Sequence, residues 1–359
     1  MKPGLQRASR QPEKAPAGIE NQSRTEVFRE GLSVASGHAA ISVETRGAVD
    51  SVLGDGILNV RKEVGWTSHD VVAKLRGLFR GQKIGHAGTL DPAATGVLPV
   101  LLGRGTRIAE YLLDWDKAYD AVLRLGKTTD TQDATGVVLA TRSTEGLTEE
   151  AIRSAIVQFQ GRGTQLPPMY SAVKVGGVPL YKAARAGRTV ERERREVMVY
   201  EIAVLGIAGC DVSLHVRCAK GTYVRTLCAD IGDALGVGGH LLSLERSRVG
   251  PLTIQRALTI EDIRSKLLLG RLAEDLISLD QALEHVPALA VDEATAARVL
   301  HGVPVPSGAA TWATGGRVEG MAGQPVRVKD RAGRLLALGR MPAGGAEQAV
   351  AILKVLADA

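Results

Sequence analysis

The stretch from Lys83 to Leu102 reads KIGHAGTLDPAATGVLPVLL and organises the expectations for the rest of the chain. It places one acid, Asp91, in a loop punctuated by glycine, shortly before an apolar run from Val97 to Leu102. Because Pro92 follows Asp91, the acid is biased toward extended backbone and is predicted to lie in a loop. An apolar run of this length between turn residues is typical of a buried strand. The carboxylate is therefore expected at the edge of the core, although an Asp-Pro pair is also ordinary turn chemistry.

Regular elements are predicted on both sides of this stretch. Upstream, a strand pattern over residues 56–60 precedes a helix that begins near Thr67, a residue type that caps helix N-termini. Downstream, the spacing of apolar residues predicts a helix over 105–114, a strand over 117–125, a polar loop over 128–133, a helix over 149–159 and strands over 197–205 and 212–218. Residues 241–249 are expected to close the core. The mixture predicts an α/β (α+β) fold.

A second site-like feature is the segment KGTYVRT at residues 220–226. Its turn residues and the apolar spacing that follows place Arg225 in the first turn of a helix. The helix dipole disfavours a cation at that end, so an anionic partner nearby would explain the arginine. An ion pair on the helix surface with Asp230 or Asp233 explains it equally well, and the residues alone leave both interpretations open.

The segment PPMYSAVKVGGVPLYKAARAGRTVERERR, residues 167–195, is basic and rich in loop-forming residues. Its cations are Lys174, Lys182, Arg185, Arg188, Arg192, Arg194 and Arg195, interleaved with Tyr170 and Tyr181. This combination is typical of an electrostatic clamp on a folded RNA. Glu191, Glu193 and Glu196 leave open a solvated charged surface for its last third.

Composition restricts the class of function. At 359 residues the chain is long enough for two domains, and its formal net charge of +6 suits a protein that binds a polyanion. Aromatic residues make up only 3%, too few for extended base stacking, so recognition of RNA would depend on phosphates and shape. The three cysteines form no C-x-x-C pair, which predicts a reducing, cytoplasmic setting and no zinc site. No apolar run reaches the roughly 18 residues that a membrane span requires.

The two ends of the chain differ from its middle. Residues 1–54 are rich in Pro, Gly, Ser, Arg, Gln and Glu without a sustained apolar period, and are predicted to be a disordered extension. Past Leu289, short β patterns separated by Gly and Pro, such as 325–329 and 334–338, predict a small β-rich C-terminal domain. Residues 279–287 would be the linker.

Together these segments resemble the TruB family of tRNA pseudouridine synthases. Its signature is matched by Gly88-Thr89-Leu90-Asp91-Pro92 continued by Ala94-Thr95-Gly96-Val97-Leu98-Pro99, and similar segments recur in family order from Gly56 to about Val249. The chain departs from the family at Arg61-Lys62-Glu63, where Asp-Lys-Pro is expected. The resemblance implies a mixed antiparallel sheet with flanking helices over residues 55–286, a thumb-like insertion at about 167–196, and a PUA-like RNA-binding domain over 287–359.

The resemblance also implies roles for individual side chains. Asp91 would be the catalytic acid, Arg225 its partner, and Tyr119 the ring that stacks on the target uracil. The other implied positions are Leu244 against the uracil, His86 in the space left by the flipped base, Asp133 in substrate binding, and Lys174, Tyr181 and Arg185 in the insertion that grips the T-arm. Without the resemblance, the favoured interpretation of Tyr119 is a core tyrosine whose hydroxyl is hydrogen-bonded. The 128–133 loop would be about equally a turn capped by its own side chains.

Pseudouridine formation breaks the bond between C1′ and N1 of uracil, rotates the base and rejoins it through C5. One carboxylate suffices, as a nucleophile or as a base that removes a ribose proton. The reaction needs no redox change or group donor, so no cofactor and no metal are expected, and the sequence contains no convincing metal-ligand cluster, P-loop or dinucleotide-binding motif.

The expected activity is therefore isomerisation of uridine 55 in the T-loop of tRNA, with which a tRNA-folding role is compatible. The expected partner is the T-arm of tRNA, with no membrane and no obligate protein partner, and the protein is expected to be a monomer. An RNA-folding protein without important chemistry is one alternative, which the retained Asp91, Tyr119 and Arg225 argue against. A synthase that acts on other RNAs within a larger complex is another, which the complete insertion argues against.

Overall fold

A computed structural model describes residues 53–171, 173–306, 308–312, 322–343 and 349–358. The extension predicted to be disordered lies outside these residues except for its last two positions. The strands are β1 (Gly56–Lys62), β2 (Ile84–His86), β3 (Thr95–Leu102), β4 (Lys117–Leu125), β5 (Lys127–Thr129), β6 (Val138–Thr141), β7 (Gly161–Gln165), β8 (Lys174–Val175), β9 (Val178–Pro179), β10 (Arg195–Ala208), β11 (Asp211–Cys218), β12 (Gly239–Val249), β13 (Leu252–Thr253), β14 (Ala288–Val291), β15 (Ala310–Trp312), β16 (Pro325–Asp330), β17 (Leu335–Arg340) and β18 (Ala351–Val355). The α-helices are α1 (Ser68–Leu78), α2 (Ala109–Leu113), α3 (Glu149–Val157), α4 (Leu180–Arg185), α5 (Val224–Ala234), α6 (Ile260–Leu268), α7 (Leu279–Ala282) and α8 (Glu293–Leu300), and 3-10 turns lie at Gly103–Ile108, Ile254–Arg256 and Leu272–Asp275.

A mixed sheet forms the centre of the larger part of the molecule. Its strand order is β1-β3-β12-β4-β11-β10-β7, with β2 paired to β3 and β13 paired to β12. Every pairing is antiparallel except that of β3 with β12. The mixed antiparallel sheet with flanking helices is therefore confirmed.

The sheet divides at the β3–β12 pair. On one side, α3 and α5 pack against β4, β11 and β12 over one hydrophobic cluster; on the other, α1 and α6 pack against β1 and β3 over another. The parallel pairing that joins the halves is short, with Thr95 opposite Glu245 and Gly96 opposite Arg246. Gly96 has a φ of 105°, and a Cβ there would lie 2.3 Å from the carbonyl oxygen of Arg246, so only glycine fits. The Asp91 loop leads directly into this seam.

Several predicted elements need correction. Residues 105–114 are not one helix, because a 3-10 turn over Gly103–Ile108 precedes the short α2. The polar loop is shorter than expected, since Thr128 and Thr129 belong to β5, which pairs with β6. The region predicted as a linker, 279–287, contains helix α7: Ser278 caps it, and Leu279, Ala282 and Leu283 are buried.

The C-terminal part contains a second sheet, in the order β15-β14-β16-β17-β18. The prediction of short β segments alone missed α8, which Asp292 caps and whose buried Val299 packs into this part's own hydrophobic cluster. Leu338 and Leu356 instead join a cluster that contains Ile57 and Leu101 of the central sheet. The two sheets therefore share buried apolar contacts. No helix within the described ranges is both long and apolar enough to cross a lipid bilayer.

Candidate active site

The loop that carries Asp91 is fastened to the turn after β1. The amide of Gly65 donates to the carbonyl oxygen of Pro92 at 2.9 Å, and the amide of Leu90 donates to Oγ of Ser68 at 2.9 Å. The departure of this turn from the family pattern therefore leaves its contacts with the Asp91 loop in place.

Lys62, at the centre of that departure, is a residue that sequence reasoning did not select. Its side chain is completely buried, and Nζ donates to the carbonyl oxygens of Trp66 at 2.7 Å, Glu63 at 3.0 Å and Pro92 at 3.3 Å. Burial lowers the pKa of Lys62 to about 8, while the nearby Asp91 carboxylate opposes that shift. The ammonium thus ties the turn and the Asp91 loop together and supplies positive charge beneath the acid.

Arg225 is the principal partner of Asp91. The distance between Nη1 of Arg225 and Oδ2 of Asp91 is 2.9 Å, and the arginine is only 5% exposed. Nη2 donates at 2.6 Å to the carbonyl oxygen of Tyr170, at the base of the insertion. The predicted first-turn position is confirmed, because α5 begins one residue earlier. A surface pair with Asp230 or Asp233 is excluded.

Asp133 completes this cluster from the loop after β5. Its Oδ1 accepts hydrogen bonds from Oγ1 of Thr131 at 2.7 Å and from Oγ1 and the amide of Thr135 at 2.6 and 2.9 Å. Its Oδ2 lies 3.6 Å from Nη1 of Arg225. One carboxylate oxygen thus caps the turn, as the first interpretation of this loop expected, and the other faces the arginine. Substrate binding by Asp133 stays a prediction.

The cluster leaves Asp91 accessible from one side. Its side chain is 44% exposed, although Arg225 behind it is buried. Loss of solvation in the cleft raises the pKa of Asp91, and the neighbouring Asp133 raises it further, while Arg225 and Lys62 oppose the shift. The cations favour the ionised carboxylate, which is the form that a nucleophile or a base requires.

Tyr119 and Leu244 lie on the neighbouring strands β4 and β12. Tyr119 on β4 is opposite Arg246 of β12, and Leu244 is opposite Ala121, so both side chains pack against the same hydrophobic cluster. Burial raises the pKa of Tyr119, and the Asp91 carboxylate contributes to that rise. The core interpretation of Tyr119 and its proximity to the acid are therefore compatible.

His86 lies on β2, close to the same loop. Its ring makes an edge contact with His69, with the ring centres 5.5 Å apart, and its Nδ1 is buried without a hydrogen-bond partner among the described residues. Burial lowers the pKa of His86, and the charges of His69 and Arg246 lower it further. A neutral imidazole at neutral pH follows.

The residues predicted to grip RNA lie on the insertion between β7 and β10. Lys174 is exposed on the β8–β9 hairpin, and Arg185 is exposed at the end of α4, 5.6 Å above the centre of the Tyr181 ring. Within the described residues, these three side chains make no ion pair or hydrogen bond with the Asp91 cluster, which consists of Asp91, Arg225 and Asp133. The exposed cationic side chains of the insertion are thus separate from the Asp91 cluster.

No group of His, Cys, Asp and Glu suited to a metal is present within the described ranges. What the site offers is an exposed acid paired with a buried guanidinium, and a second acid that faces the same guanidinium. Such a site can attack or deprotonate a ligand presented from outside.

Comparisons with known proteins agree with this geometry. Residues 76–224 match the model of the TruB family pseudouridylate synthase (N terminal domain), and residues 225–287 match the tRNA pseudouridylate synthase B C-terminal domain. The tRNA pseudouridine synthase B of Geobacter sulfurreducens is 47% identical over 250 residues, which are 70% of this chain and 82% of the relative. The protein of the same name from Burkholderia mallei is 43% identical over 290 residues, 81% of this chain and 94% of the relative.

A solved structure shares the fold over a similar span. The crystal structure of a Cbf5-Nop10-Gar1 complex contains a chain that superposes with a TM-score of 0.67 at 31% identity, covering 84% of this chain and 85% of that one. The superposed share is larger than the part matched by the two family models.

Proposed function

The chain belongs to the TruB family of pseudouridine synthases and isomerises a uridine of tRNA to pseudouridine; we propose that its target is uridine 55 in the T-loop and that Asp91 carries the chemistry. The observation that supports the catalytic role is the 2.9 Å pair of Asp91 with the buried Arg225, on the side of an acid that otherwise opens to solvent. A carboxylate held in this way is fixed in position and still accessible to a ribose.

The chemistry requires little beyond that carboxylate. The bond between C1′ and N1 breaks, the base turns, C5 bonds to C1′, the C5 proton leaves and N1 gains a proton, so the product is an isomer of the substrate. Asp91 acts either as a nucleophile at C1′ or as a base toward a ribose proton. Both roles use the ionised form that Arg225 and Lys62 favour.

The other site residues are assigned by position around the acid. Tyr119 stacks on the flipped uracil, Leu244 packs against it, and neutral His86 fills the space that the base leaves in the RNA. Asp133 moderates the hold of Arg225 on Asp91, because one arginine nitrogen faces both acids at 2.9 and 3.6 Å. Because Asp133 shares the guanidinium, the attraction between Arg225 and Asp91 is weaker than it would be without Asp133.

Recognition of tRNA is assigned to the exposed insertion and the C-terminal sheet. Lys174, Arg185 and Tyr181 present two cations and a ring to the T-arm, and the PUA-like part adds a second RNA contact. We infer that the protein works as a monomer in the cytoplasm without an obligate protein partner, because the insertion supplies an RNA-binding surface within the chain itself.

The test is a map of pseudouridine in tRNA from cells that lack the protein, complemented with the wild-type gene or with Asp91→Asn. Position 55 should be unmodified without the protein and with Asp91→Asn, and modified with the wild type. Modification that persists in the deletion strain would contradict the target. Restoration by Asp91→Asn would contradict the catalytic assignment.

A further inference from the structure

Gln132, next to Asp133 in the loop after β5, has a strained backbone. Among the described residues it is the only one other than glycine with a positive φ, which is 65°. Glycine adopts this left-handed conformation freely, whereas a residue with a Cβ adopts it at a cost in free energy. Strain of this kind persists where the surrounding contacts impose it, and it is common at functional sites. The contacts of Gln132 therefore need an explanation.

Gln132 joins strand β12 to the first turn of helix α5. Its carbonyl oxygen accepts a hydrogen bond from the amide of Leu241 on β12 at 3.0 Å. Its side-chain Oε1 accepts a hydrogen bond from Oγ1 of Thr226 on α5 at 2.8 Å. Thr226 is only 2% exposed, so Gln132 supplies the partner that a buried hydroxyl requires. One residue thus fastens the helix that carries Arg225 to the strand that carries Leu244.

A second glutamine holds the chain on the other side of Arg225. Gln165 ends β7 and is buried. The amide of Tyr223 donates to Oε1 of Gln165 at 3.0 Å, and Nε2 of Gln165 donates to the carbonyl oxygen of Tyr223 at 3.3 Å. Tyr223 lies two residues before Arg225, and Thr226 lies one residue after it. Two amides from separate elements therefore fix the backbone on both sides of the arginine.

The guanidinium of Arg225 needs this restraint, because its own contacts leave it a choice. Nη1 lies 2.9 Å from Oδ2 of Asp91 and 3.6 Å from Oδ2 of Asp133. Nε is buried without a partner among the described residues. A small shift of the helix start would move the cation from one acid toward the other. A neutral amide prevents that shift without adding charge, whereas a carboxylate in its place would be a further partner for the guanidinium.

We propose that Gln132 is a positioning residue that holds Arg225 against Asp91 by tying the first turn of α5 to β12. The proposal rests on the proposed function and adds a residue that acts through Arg225. The strained backbone lets the main chain of Gln132 meet Leu241 while its side chain reaches Thr226. A cation that is fixed in place before the reaction keeps the carboxylate ionised and oriented, so a small displacement lowers the rate.

The first test is Gln132→Asn. Asparagine adopts the left-handed conformation more readily than glutamine, but its side chain is one methylene shorter and no longer reaches Thr226. We expect the single-turnover rate to fall roughly fivefold to tenfold, with tRNA affinity within about twofold. The melting temperature should stay within about 3 °C of the wild type, because relief of strain offsets the lost hydrogen bond. A wild-type rate for the folded variant would overturn the proposal.

Gln281→Asn is the matched control. Gln281 also accepts a hydrogen bond from a hydroxyl, that of Ser278 at 3.0 Å, but it does so at the start of α7. Its single-turnover rate should stay within about twofold of the wild type. A loss as large as that of Gln132→Asn would show that the kinetics report general loosening, and the positioning role would be withdrawn.

Thr226 offers a second pair of variants, which decides the question even if Gln132→Asn does not fold. Thr226→Val keeps a similar volume and removes the donor, whereas Thr226→Ser keeps the donor. The valine should lower the rate about as much as Gln132→Asn, and the serine should react within about twofold of the wild type. The double variant Gln132→Asn, Thr226→Val should be no slower than about twofold below either single variant, because both remove one hydrogen bond. Multiplied losses, or a serine as slow as the valine, would overturn the pairing.

The pH dependence of the rate separates positioning from loosening. Burial and Asp133 raise the pKa of Asp91, whereas Arg225 from α5 and Lys62 from β1 lower it. If Gln132→Asn lets Arg225 move away, the pKa of Asp91 rises and the acidic limb of the rate profile moves to higher pH. If the variant only loosens the fold, water enters and the limb stays in place or moves to lower pH. Either of the latter results would overturn the proposal.

A measurement without turnover separates this inference from the function on which it rests. The NMR signal of the Arg225 Nε–H group should move in Thr226→Val and keep its wild-type position in Thr226→Ser. If Asp91→Asn is active, the proposed function fails, yet this comparison still reports whether the hydrogen bond from Thr226 to Gln132 places Arg225. An unchanged signal in Thr226→Val, in an enzyme that depends on Asp91, would leave the function intact and defeat the inference.

Discussion

Two buried arginines illustrate how the same chemical pair serves different ends in this molecule. Arg225 at the candidate active site is 5% exposed and Arg327 at the junction of the two sheets is 6% exposed, and each contacts an aspartate. Arg327 has all its nitrogens occupied, by the carboxylate and carbonyl of Asp280 and by the carbonyl oxygens of Val286 and Glu284.

Arg225 is left less complete. Its Nε is buried without a partner among the described residues, and the acid that it contacts, Asp91, keeps 44% of its side chain open to solvent. A closed pair stabilises a junction, whereas an open pair holds a reactive group in place for a ligand. The difference implies that changes at the Arg327–Asp280 pair affect stability, whereas changes at the Arg225–Asp91 pair affect the rate of reaction.

The largest expected effect is that of Asp91→Asn. Single-turnover release of tritium from C5-labelled tRNA should fall by a factor on the order of 10⁴ or more, because the amide can neither attack nor remove a proton. The fold and most of the tRNA affinity should persist, since binding is spread over the RNA surface. Appreciable turnover by the folded variant would remove Asp91 from the mechanism.

Arg225→Lys should have the next largest effect. The ammonium keeps the charge but cannot span Asp91 and the carbonyl oxygen of Tyr170 as the planar guanidinium does, so the rate should fall roughly a hundredfold with a smaller change in Kd. The same tritium assay and a filter-binding titration measure both quantities. Wild-type kinetics for Arg225→Lys would contradict the assignment of the Arg225–Asp91 pair to catalysis and would remove its difference from the Arg327–Asp280 pair.

At the closed pair, Arg327→Ala should act on stability instead. The loss of its hydrogen bonds at a partly solvated junction should lower the free energy of unfolding by about 2–3 kcal/mol, while turnover at saturating tRNA remains near that of the wild type. Urea unfolding followed by circular dichroism gives the first value. A stable but slow Arg327→Ala protein would reverse the assignment of the two pairs.

The smallest expected effect is the dependence of folding stability on pH that Asp91 contributes. The pKa of Asp91 is raised in the folded protein, so between its unfolded and folded pKa values the native state binds more protons and stability falls as pH rises. Asp91→Asn removes this dependence and should be at least as stable as the wild type at neutral pH, with an advantage that shrinks as pH falls through that window. Turnover of the wild type should decline over the same acidic range. Urea midpoints measured across pH that show Asp91→Asn to be the less stable protein would contradict the sign.

The residues of the candidate active site were predictable only where the local sequence around a single residue marked it. Asp91 lies before a proline and a buried strand, and Arg225 lies in a helix turn that disfavours cations, so both stood out. Their pairing came from family resemblance, because nothing in the local pattern measures a distance between residues 134 positions apart along the chain. The contacts of Asp133 could not be predicted, because only the structure shows that its two oxygens face different partners.

Lys62 and Arg246 were not recognised as buried cations. Charged side chains are almost never fully buried unless they are paired, so the local sequence gave no reason to expect burial at either position. Helix α8 was missed because the Gly and Pro residues around it favoured short β segments. The sequence does contain a helix signal there, an Asp292 cap followed by Ala296 and Val299 at helical spacing.

The shared placement of Leu338 and Leu356 bears on cooperativity. Because these C-terminal leucines lie in one cluster with Ile57 and Leu101 of the central sheet, separating the two sheets would hydrate apolar surface on both. Calorimetry on residues 53–359 should then record a single transition whose van't Hoff and calorimetric enthalpies agree, rather than two. A substitution in the C-terminal sheet would accordingly shift the melting of the catalytic half as well.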